Sequence, residues 1–497
     1  MKFICVSCIV VFTLMLSGCN GKDEEENGAT CGDGVIEKLE TCDPPSNCPT
    51  SCDDEDPCTI DTMVGSPENC DVACGRQPID DCIDDDGCCP ISCDLGTDND
   101  CTTKTWAKSY GAALDESAIS VIKTSDGGYI VGGYTQSFGE GENDLFILKL
   151  GESGDIVWQN SYGTSEGEST RKIVIANDGG FIVADTYALV LKLDANGNIE
   201  WQKDYNDSDS RVLMDIEQSL SGGYILVGST SIPGGEPDAW VVEIDEGGTI
   251  EWQKSYDGHG NDAGYKVIKS SGGGYVLVGR FDGSLGVMKI SFVGEIVWKR
   301  TFNVGNFNRI QQTLDDGYIL VGDSGRVLKM DVNGEALWSK TYRGNGTDWL
   351  YDVLQNADGS YLICGSTNSF GAGEYDAWII KLDDEGVVMW QKTYGGTGND
   401  RFSSFVETQE GGYVVAGNTE SYGGGQYDIW VLKLDSEGNV DGDCPPGFGV
   451  ESSAAVHTVS VTPSVPDISA TDLSSTAVET NIVPITSSAA VAEQCGE

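Results

Sequence analysis

WQKTYGGTGNDRFSSFVETQEGGYVVAGNTESYGGGQYDIWVLKLDSEG, from Trp390 to Gly438, decides the fold, because the chain before it repeats the same pattern six more times. Aligned on the opening aromatic, the copies begin at Trp106, Trp158, Trp201, Trp252, Trp298, Trp338 and Trp390, with spacings of 52, 43, 51, 46, 40 and 52 residues. A period of this size marks a propeller or a solenoid. The strand count within one unit separates the two. In the first unit SAISVIKT (117–124), GYIVGGYT (128–135), DLFILKL (144–150) and DIVWQNSY (155–162) are four short runs rich in β-branched and aromatic residues, with turn residues between them and no helical period. Four strands per unit make a propeller blade.

The turns carry the same message. SDGG at 125–128 and its counterparts in ANDGG, LDDG, NADG and QEGG supply the Gly or Asp that tight hairpins need for positive φ, and a second turn precedes the next strand at Asp194–Gly197, Asp331–Gly334, Asp383–Gly386 and Asp435–Gly438. Runs such as Tyr413–Ala416 are apolar at successive positions, so both faces of these strands must be covered, as they are between neighbouring blades. Trp106 precedes the first complete unit and the last copy ends near Asn439 without a following Trp. Trp106–Tyr110 is therefore expected to supply the outer strand of the last blade, closing a ring of seven and leaving no open sheet edge. The fold expected is all-β: a seven-bladed propeller of four-stranded blades over 102–444, closed by its N-terminal strand.

The repeats resemble a group of bacterial and archaeal propeller proteins whose blades read W-x-K-T-Y-G, then D-G-G-Y-I-V-x-G, then D-x-W-x-x-K-L-D-x-x-G, and which are likened to quinoprotein-like propellers, bulb-type lectins or endoglucanase-related proteins. That resemblance covers about 106–440 and implies architecture; activity has to be argued from a site.

Ahead of the ring, Lys2 and an apolar run from Phe3 to Leu16 lead to Ser17, Gly18 and Cys19, a run too short to span a bilayer and read as a signal peptide over 1–18. LSGC is similar to a bacterial lipobox, which implies cleavage before Cys19, lipidation of that cysteine and a lipid-anchored outer-membrane location, the membrane being touched through the anchor alone. Residues 19–30, with GKDEEENG, read as a flexible tether. From Cys31 to Cys101 there are 12 cysteines in 71 residues with few large apolar companions, which in an exported chain means a disulfide framework. CGDGVIEKLETCD at 31–43 and DGCCPISCDLGTDNDC at 86–101 resemble the cysteine-rich modules of myxobacterial surface proteins. No cofactor is required by the sequence; calcium is the candidate metal, because Asp84, Asp86, Asp98 and Asp100 crowd hard oxygen ligands together, although no EF-hand spacing is present and a solvated acidic surface competes.

Net charge is −51, with 80 acids against 29 bases. No basic stripe exists, which argues against nucleic acid as a partner and is consistent with a soluble exported monomer. The tail, 445–497, is rich in Ser, Thr, Val and Pro, holds 6 acids and no base, and reads as an extended segment in which some Val and Ile could add an edge strand. Cys444 and Cys495 bracket it and are expected to pair, a loop closure contributing about 4 kcal/mol on the chain-entropy model.

Candidate binding residues come from loop lengths. The inner-to-second and third-to-outer turns are short and uniform, whereas the opposite face carries SFGEGEND (137–144), SIPGGEPD (231–238), SFGAGEYD (369–376) and SYGGGQYD (421–428) in blades 1, 3, 6 and 7. Ring closure makes blades 6, 7 and 1 neighbours, so a wall is expected there, carrying the aromatics Phe138, Phe370, Tyr375, Tyr422 and Tyr427 beside Asp144, Asp376 and Asp428. Aromatic faces with acceptors suit a polysaccharide; against this stands the reading that the Asp residues cap the loops and the aromatics pack beneath them. The function expected is surface binding of an extracellular polysaccharide or protein. A secreted hydrolase or oxidoreductase on the same face, or a spacer without a ligand, are the alternatives. Only His259 and His457 exist and neither sits in a nucleophile-elbow setting, so no catalytic residue is nominated.

Overall fold

In a computed structural model of the chain, residues 105–440 are described apart from 140–141, 164–166, 207–209, 232–234, 258–259 and 303–304, together with strands at 59–64 and 73–78 and seven short strands between 450 and 495. The chain divides into two compact units, Met1–Cys101 and Thr102–Glu497. Within the first, Thr59–Val64 pairs antiparallel with Ala73–Pro78. Cys19, the four acids Asp84, Asp86, Asp98 and Asp100, and Cys444 lie outside the described residues.

Seven antiparallel sheets make up the second unit. Blade 1 is Glu116–Lys123, Tyr129–Thr135, Asp144–Leu150 and Ile156–Tyr162; blade 2 is Thr170–Ile175, Phe181–Asp185, Leu189–Leu193 and Ile199–Asp204; blade 3 is Arg211–Gln218, Tyr224–Ser231, Pro237–Ile244 and Ile250–Asp257. Blade 4 is Ala263–Lys269, Tyr275–Phe281, Ser284–Ile290 and Ile296–Phe302; blade 5 is Phe307–Gln312, Tyr318–Gly322, Arg326–Met330 and Ala336–Arg343; blade 6 is Asp348–Gln355, Tyr361–Thr367, Asp376–Leu382 and Val388–Tyr394. Blade 7 takes Asp400–Glu407, Tyr413–Thr419 and Asp428–Leu434 from the end of the ring, and its outer strand is Trp106–Gly111, with Ser109 opposite Trp430. The closure expected from Trp106 is the one observed.

Seven hydrophobic clusters hold the blades together, each built from two neighbours. Leu362, Ile379 and Tyr394 of blade 6 pack with Phe402, Val415 and Trp430 of blade 7, and Ala416 and Ile429 of blade 7 pack with Val131 and Phe146 of blade 1, so the seam where the chain closes has the same construction as the other seams. Continuous apolar strands were the sequence sign of this two-sided burial. Cys364 lies fully buried in the blade 6–7 cluster, where burial pushes its thiol well above the ordinary range, as befits a core filler.

The repeat motif has a physical explanation in a clasp between blades. The glycine closing each third-to-outer turn adopts positive φ, 74° at Gly438, 74° at Gly386 and 82° at Gly197. The Trp of the preceding blade lies flat against it: a Cβ at Gly438 would stand 2.8 Å from the Trp390 ring, leaving space for glycine alone. The Tyr four residues after that Trp donates its hydroxyl to the same glycine's carbonyl, Tyr394 to Gly438 at 2.7 Å and Tyr110 to Gly154 at 2.6 Å. Tyr162, Tyr205, Tyr256 and Tyr342 repeat the bond to Gly197, Gly248, Gly294 and Gly386. Blade 4 departs from the rule, with the buried Phe302 where the others have Tyr, beside Gly334. Phe302→Tyr is therefore expected to raise stability by about 1 kcal/mol by adding the missing bond; a lowered midpoint in chemical denaturation would mean that the hydroxyl finds no acceptor there.

Of the two readings given for the tail, the structure shows added edge strands. Ring closure alone leaves the outer strand of each blade with a bare edge, and the tail pairs with all seven. Val450–Glu451 lies on blade 6, Ala455–Thr458 on blade 5, Pro463–Ser464 on blade 4, Ser469–Asp472 on blade 3, Val478–Glu479 on blade 2, Ile485–Thr486 on blade 1 and Ala490–Cys495 on blade 7, each antiparallel to its outer strand. The tail thus runs round the ring against the order of the blades, as a belt of fifth strands. It ends where it began: Cys495 is opposite Ala107 of blade 7, and Val440, four residues before Cys444, packs against the cluster containing Ala107. The Cys444–Cys495 bridge stands as a proposal that peptide mass spectrometry without reduction tests, two free thiols being the result that removes it.

Candidate functional site

The face bearing the long loops holds a pocket of about 420 Å³ over blades 6, 7 and 1, within the size range of small-ligand sites. Trp349 and Tyr351 come from the inner strand of blade 6, Asp400 and Arg401 from that of blade 7, and Tyr134, Ser366 and Asn418 from second strands; Glu374, Tyr375, Asn399 and Tyr427 reach in from the loops and blade connections. Five of these are aromatic and none is aliphatic, so every wall residue can donate or accept a hydrogen bond. Trp349 is 39% exposed despite its size, with its ring centroid 6.2 Å from that of Tyr351.

Local chemistry fixes the two loop tyrosines. The carbonyl of Tyr375 accepts the amide of Asp400 at 2.8 Å, and that of Tyr427 accepts the amide of Glu116 at 2.8 Å, so each is pinned where one blade meets the next. The blade 6 loop lies hard against the following connection: a Cβ at Gly373 would stand 2.2 Å from the carbonyl oxygen of Gly398, so the glycine is what allows the approach.

Of the eight residues expected to form the wall, the structure brings Tyr375 and Tyr427 into the pocket. The other three aromatics pack beneath their own loops, Phe138 on Phe146 at 5.6 Å, Phe370 on Trp378 at 6.0 Å and Tyr422 on Trp430 at 5.7 Å between centroids. The carboxylates cap the loops from inside: Asp376 accepts the amides of Ala372 and Gly373, and Asp428 those of Gly424 and Gly425. Asp144 is buried at the equivalent place.

Burial pushes the Asp376 carboxyl up to about 6 against the two amide bonds, and the neighbouring Asp400 adds to the rise. Asp428 is raised by burial in the same way, with Glu116 beside it. A carboxyl raised in the folded state gives stability that is complete below its unfolded value near 4 and is lost as pH rises through its folded value. Asp376→Asn, neutral throughout, should therefore gain on the wild type between pH 4 and pH 7; parallel melting temperatures for the two across that interval would contradict the assignment.

A second cluster fills the central channel. Each inner strand carries a bulge, and the residue after it points to one level of the axis: Ser120, Lys172, Asp215, Lys266, Arg309, Asp352 and Ser404, one per blade. The five charged members, with Glu217, line a cavity of about 160 Å³. Asp215 lies 3.6 Å from Lys172 and 3.4 Å from Lys266 and accepts the amide of Val267 at 2.9 Å, while Arg309 meets Asp352 at 2.8 Å. The two lysines respond in opposite directions. Burial disfavours both charges, but Lys172 has Glu217 at 3.1 Å as a second carboxylate and is raised, whereas Lys266, with Arg309 and Lys172 nearby, is pushed down to about 8. Three cations balance three acids, the pattern of a self-satisfied plug.

Sequence reasoning passed over this ring and over Trp349, Tyr351 and Arg401. A signal existed: aligned at their bulges, the inner strands read TRKIVI, LMDIEQ, GYKVIK, FNRIQQ and LYDVLQ, with a charge at the third position of each.

Fold and site together define a repeat-type β-propeller with an aromatic pocket over three adjacent blades. A family model described as outer membrane protein assembly factor BamB matches residues 237–437. Among solved structures the chain is similar to a protein of unknown function from Bacteroides caccae, at 12% identity over 52% of this chain and 92% of that one, with a TM-score of 0.36. It is similar also to the Pan2 WD40 domain of Neurospora crassa, at 12% identity over 64% and 88% with a TM-score of 0.43, and to BamB from Moraxella catarrhalis, at 14% over 64% and 85% with a TM-score of 0.35. No curated protein matches the chain.

Proposed function

We propose that the chain is a bacterial cell-envelope binding protein that captures an extracellular polysaccharide in the pocket over blades 6, 7 and 1. One observation carries this reading: an all-polar, aromatic-walled cavity where the long loops of blades 6 and 7 meet the second strand of blade 1, with Trp349 held open to solvent. Lipidation at Cys19, an outer-membrane address and display of the ring beyond the cysteine-rich module accompany the proposal; the LSGC motif and the description of the matched family support them.

That description favours a second reading, a scaffold that binds envelope proteins. Glycan-array binding by the purified chain, followed by Trp349→Ala, separates the two. Saccharide binding lost in the variant supports the pocket; no saccharide bound, with envelope proteins retained on the immobilised chain, supports the scaffold. Turnover of a bound glycan would revive the hydrolase alternative.

A further inference from the structure

We infer that the pocket's ligand is a saccharide bearing a carboxylate, paired by Arg401; this rests on the polysaccharide reading above. Arg401 is the single cation among the eleven residues lining the pocket. Its Nε donates to Asn418 Oδ1 and its Nη2 approaches Ser117 Oγ at 3.4 Å, which fixes the plane of the guanidinium while leaving donors over. No described carboxylate pairs with it, whereas Arg300 and Arg309 each meet one at 2.8 Å. In a chain of net charge −51 acids are abundant, so an oriented arginine without one at the mouth of a cavity fits an acid brought by the ligand.

The surroundings favour a sugar over a peptide. Tyr134, Tyr351 and Tyr427 line the pocket together with Arg401, whose charge opposes the rise that burial gives their hydroxyls. Stacking faces around one cation, with no aliphatic wall to receive a peptide side chain, match a pyranose ring with an acid substituent. The two other charged wall residues leave the arginine free to act. Asp400 accepts the amide of Gly396 at 3.0 Å and the hydroxyl of Ser421 at 2.6 Å, and Glu374 is exposed at the lip.

Calorimetric titration of the full chain with oligosaccharides of galacturonate, glucuronate and mannuronate, each alongside its carboxyl-reduced neutral counterpart, tests the inference. At least one uronate should bind more tightly than its neutral counterpart, with Arg401→Gln lowering its affinity about ten- to hundredfold and bringing acid and neutral forms level. Trp349→Ala should weaken both. Equal binding of acid and neutral forms, unchanged by Arg401→Gln and lost in Trp349→Ala, overturns the carboxylate pairing and leaves the polysaccharide pocket. Preference for a peptide with a free C-terminal carboxylate over every uronate overturns the saccharide class. Binding indifferent to both substitutions, or absent for every saccharide, overturns both readings.

Discussion

Asp215→Asn is expected to cost about 3–5 kcal/mol, because it removes the carboxylate that two buried lysines share. Asp215 is 1% exposed, and although desolvation is the largest single influence on its carboxyl, Lys172, Lys266 and Arg309 together outweigh it and hold the carboxyl down. Asparagine can still accept the amide of Val267, so the loss isolates the charge. Lys172 keeps Glu217; Lys266 is left with no carboxylate in contact, and its value, already near 8, falls further. The unfolded lysine titrates near 10.4, so across the interval between the two values the unfolded state binds more protons and stability rises with pH. The variant should accordingly recover part of its deficit between pH 7 and pH 9. Lys266→Met added to Asp215→Asn should restore more stability than the single changes predict by addition. Guanidinium denaturation of the four proteins at pH 7 and pH 9 checks this. A deficit below about 1 kcal/mol, flat with pH, would show that channel water screens the cluster as it does surface pairs.

That cluster also shows which kinds of information a sequence exposes. The clasp was legible because one mechanical need, a Trp face and a Tyr hydroxyl against a positive-φ glycine, recurs at each seam and so prints a period in the chain. Ring closure followed from one displaced copy of it, Trp106. The loop aromatics were legible as a group and not individually, since whether Tyr422 turns under its loop onto Trp430 or Tyr427 turns out to the pocket depends on packing that loop length does not encode. Arg401 and Trp349 were hidden for a different reason. Each sits directly after the first acid of an inner strand, a position that in one blade alone reads as ordinary strand alternation, and the pocket exists only when three blades are set side by side. The belt was hidden most deeply, because a strand that adds to an edge does so through its backbone, and segments as short as Val478–Glu479 need no recognisable side-chain pattern.

Ending the chain at Val440 should leave the propeller folded and make it associate more strongly than the full chain. The seven seams are built from ring residues, Trp, Tyr and Gly clasps included, so each blade keeps its four strands and both covered faces. The belt itself adds little net stability. Each backbone hydrogen bond contributes about 0.5–1.5 kcal/mol, and ordering a residue costs about 1–2 kcal/mol, so short pairings such as Thr301 with Ser464 nearly cancel. What the belt changes is the edge. Without it, outer strands present unpaired amides and carbonyls, and some of the exposed side chains on them are apolar: Val157, Val297, Leu337 and Met389 are 63%, 58%, 57% and 56% exposed even with the belt in place. Bare, partly apolar edges pair with one another. Light scattering coupled to size exclusion should therefore show the truncated chain associating at micromolar to millimolar concentration while its circular dichroism stays that of a β-protein. The peptide 445–497 supplied in trans should return it to the full chain's state of association, because the register it occupies is defined strand by strand. A truncated chain that stays monomeric and melts with the wild type would mean that the propeller's edges are protected by their own twist; one that fails to fold would make the belt a folding element and not a guard.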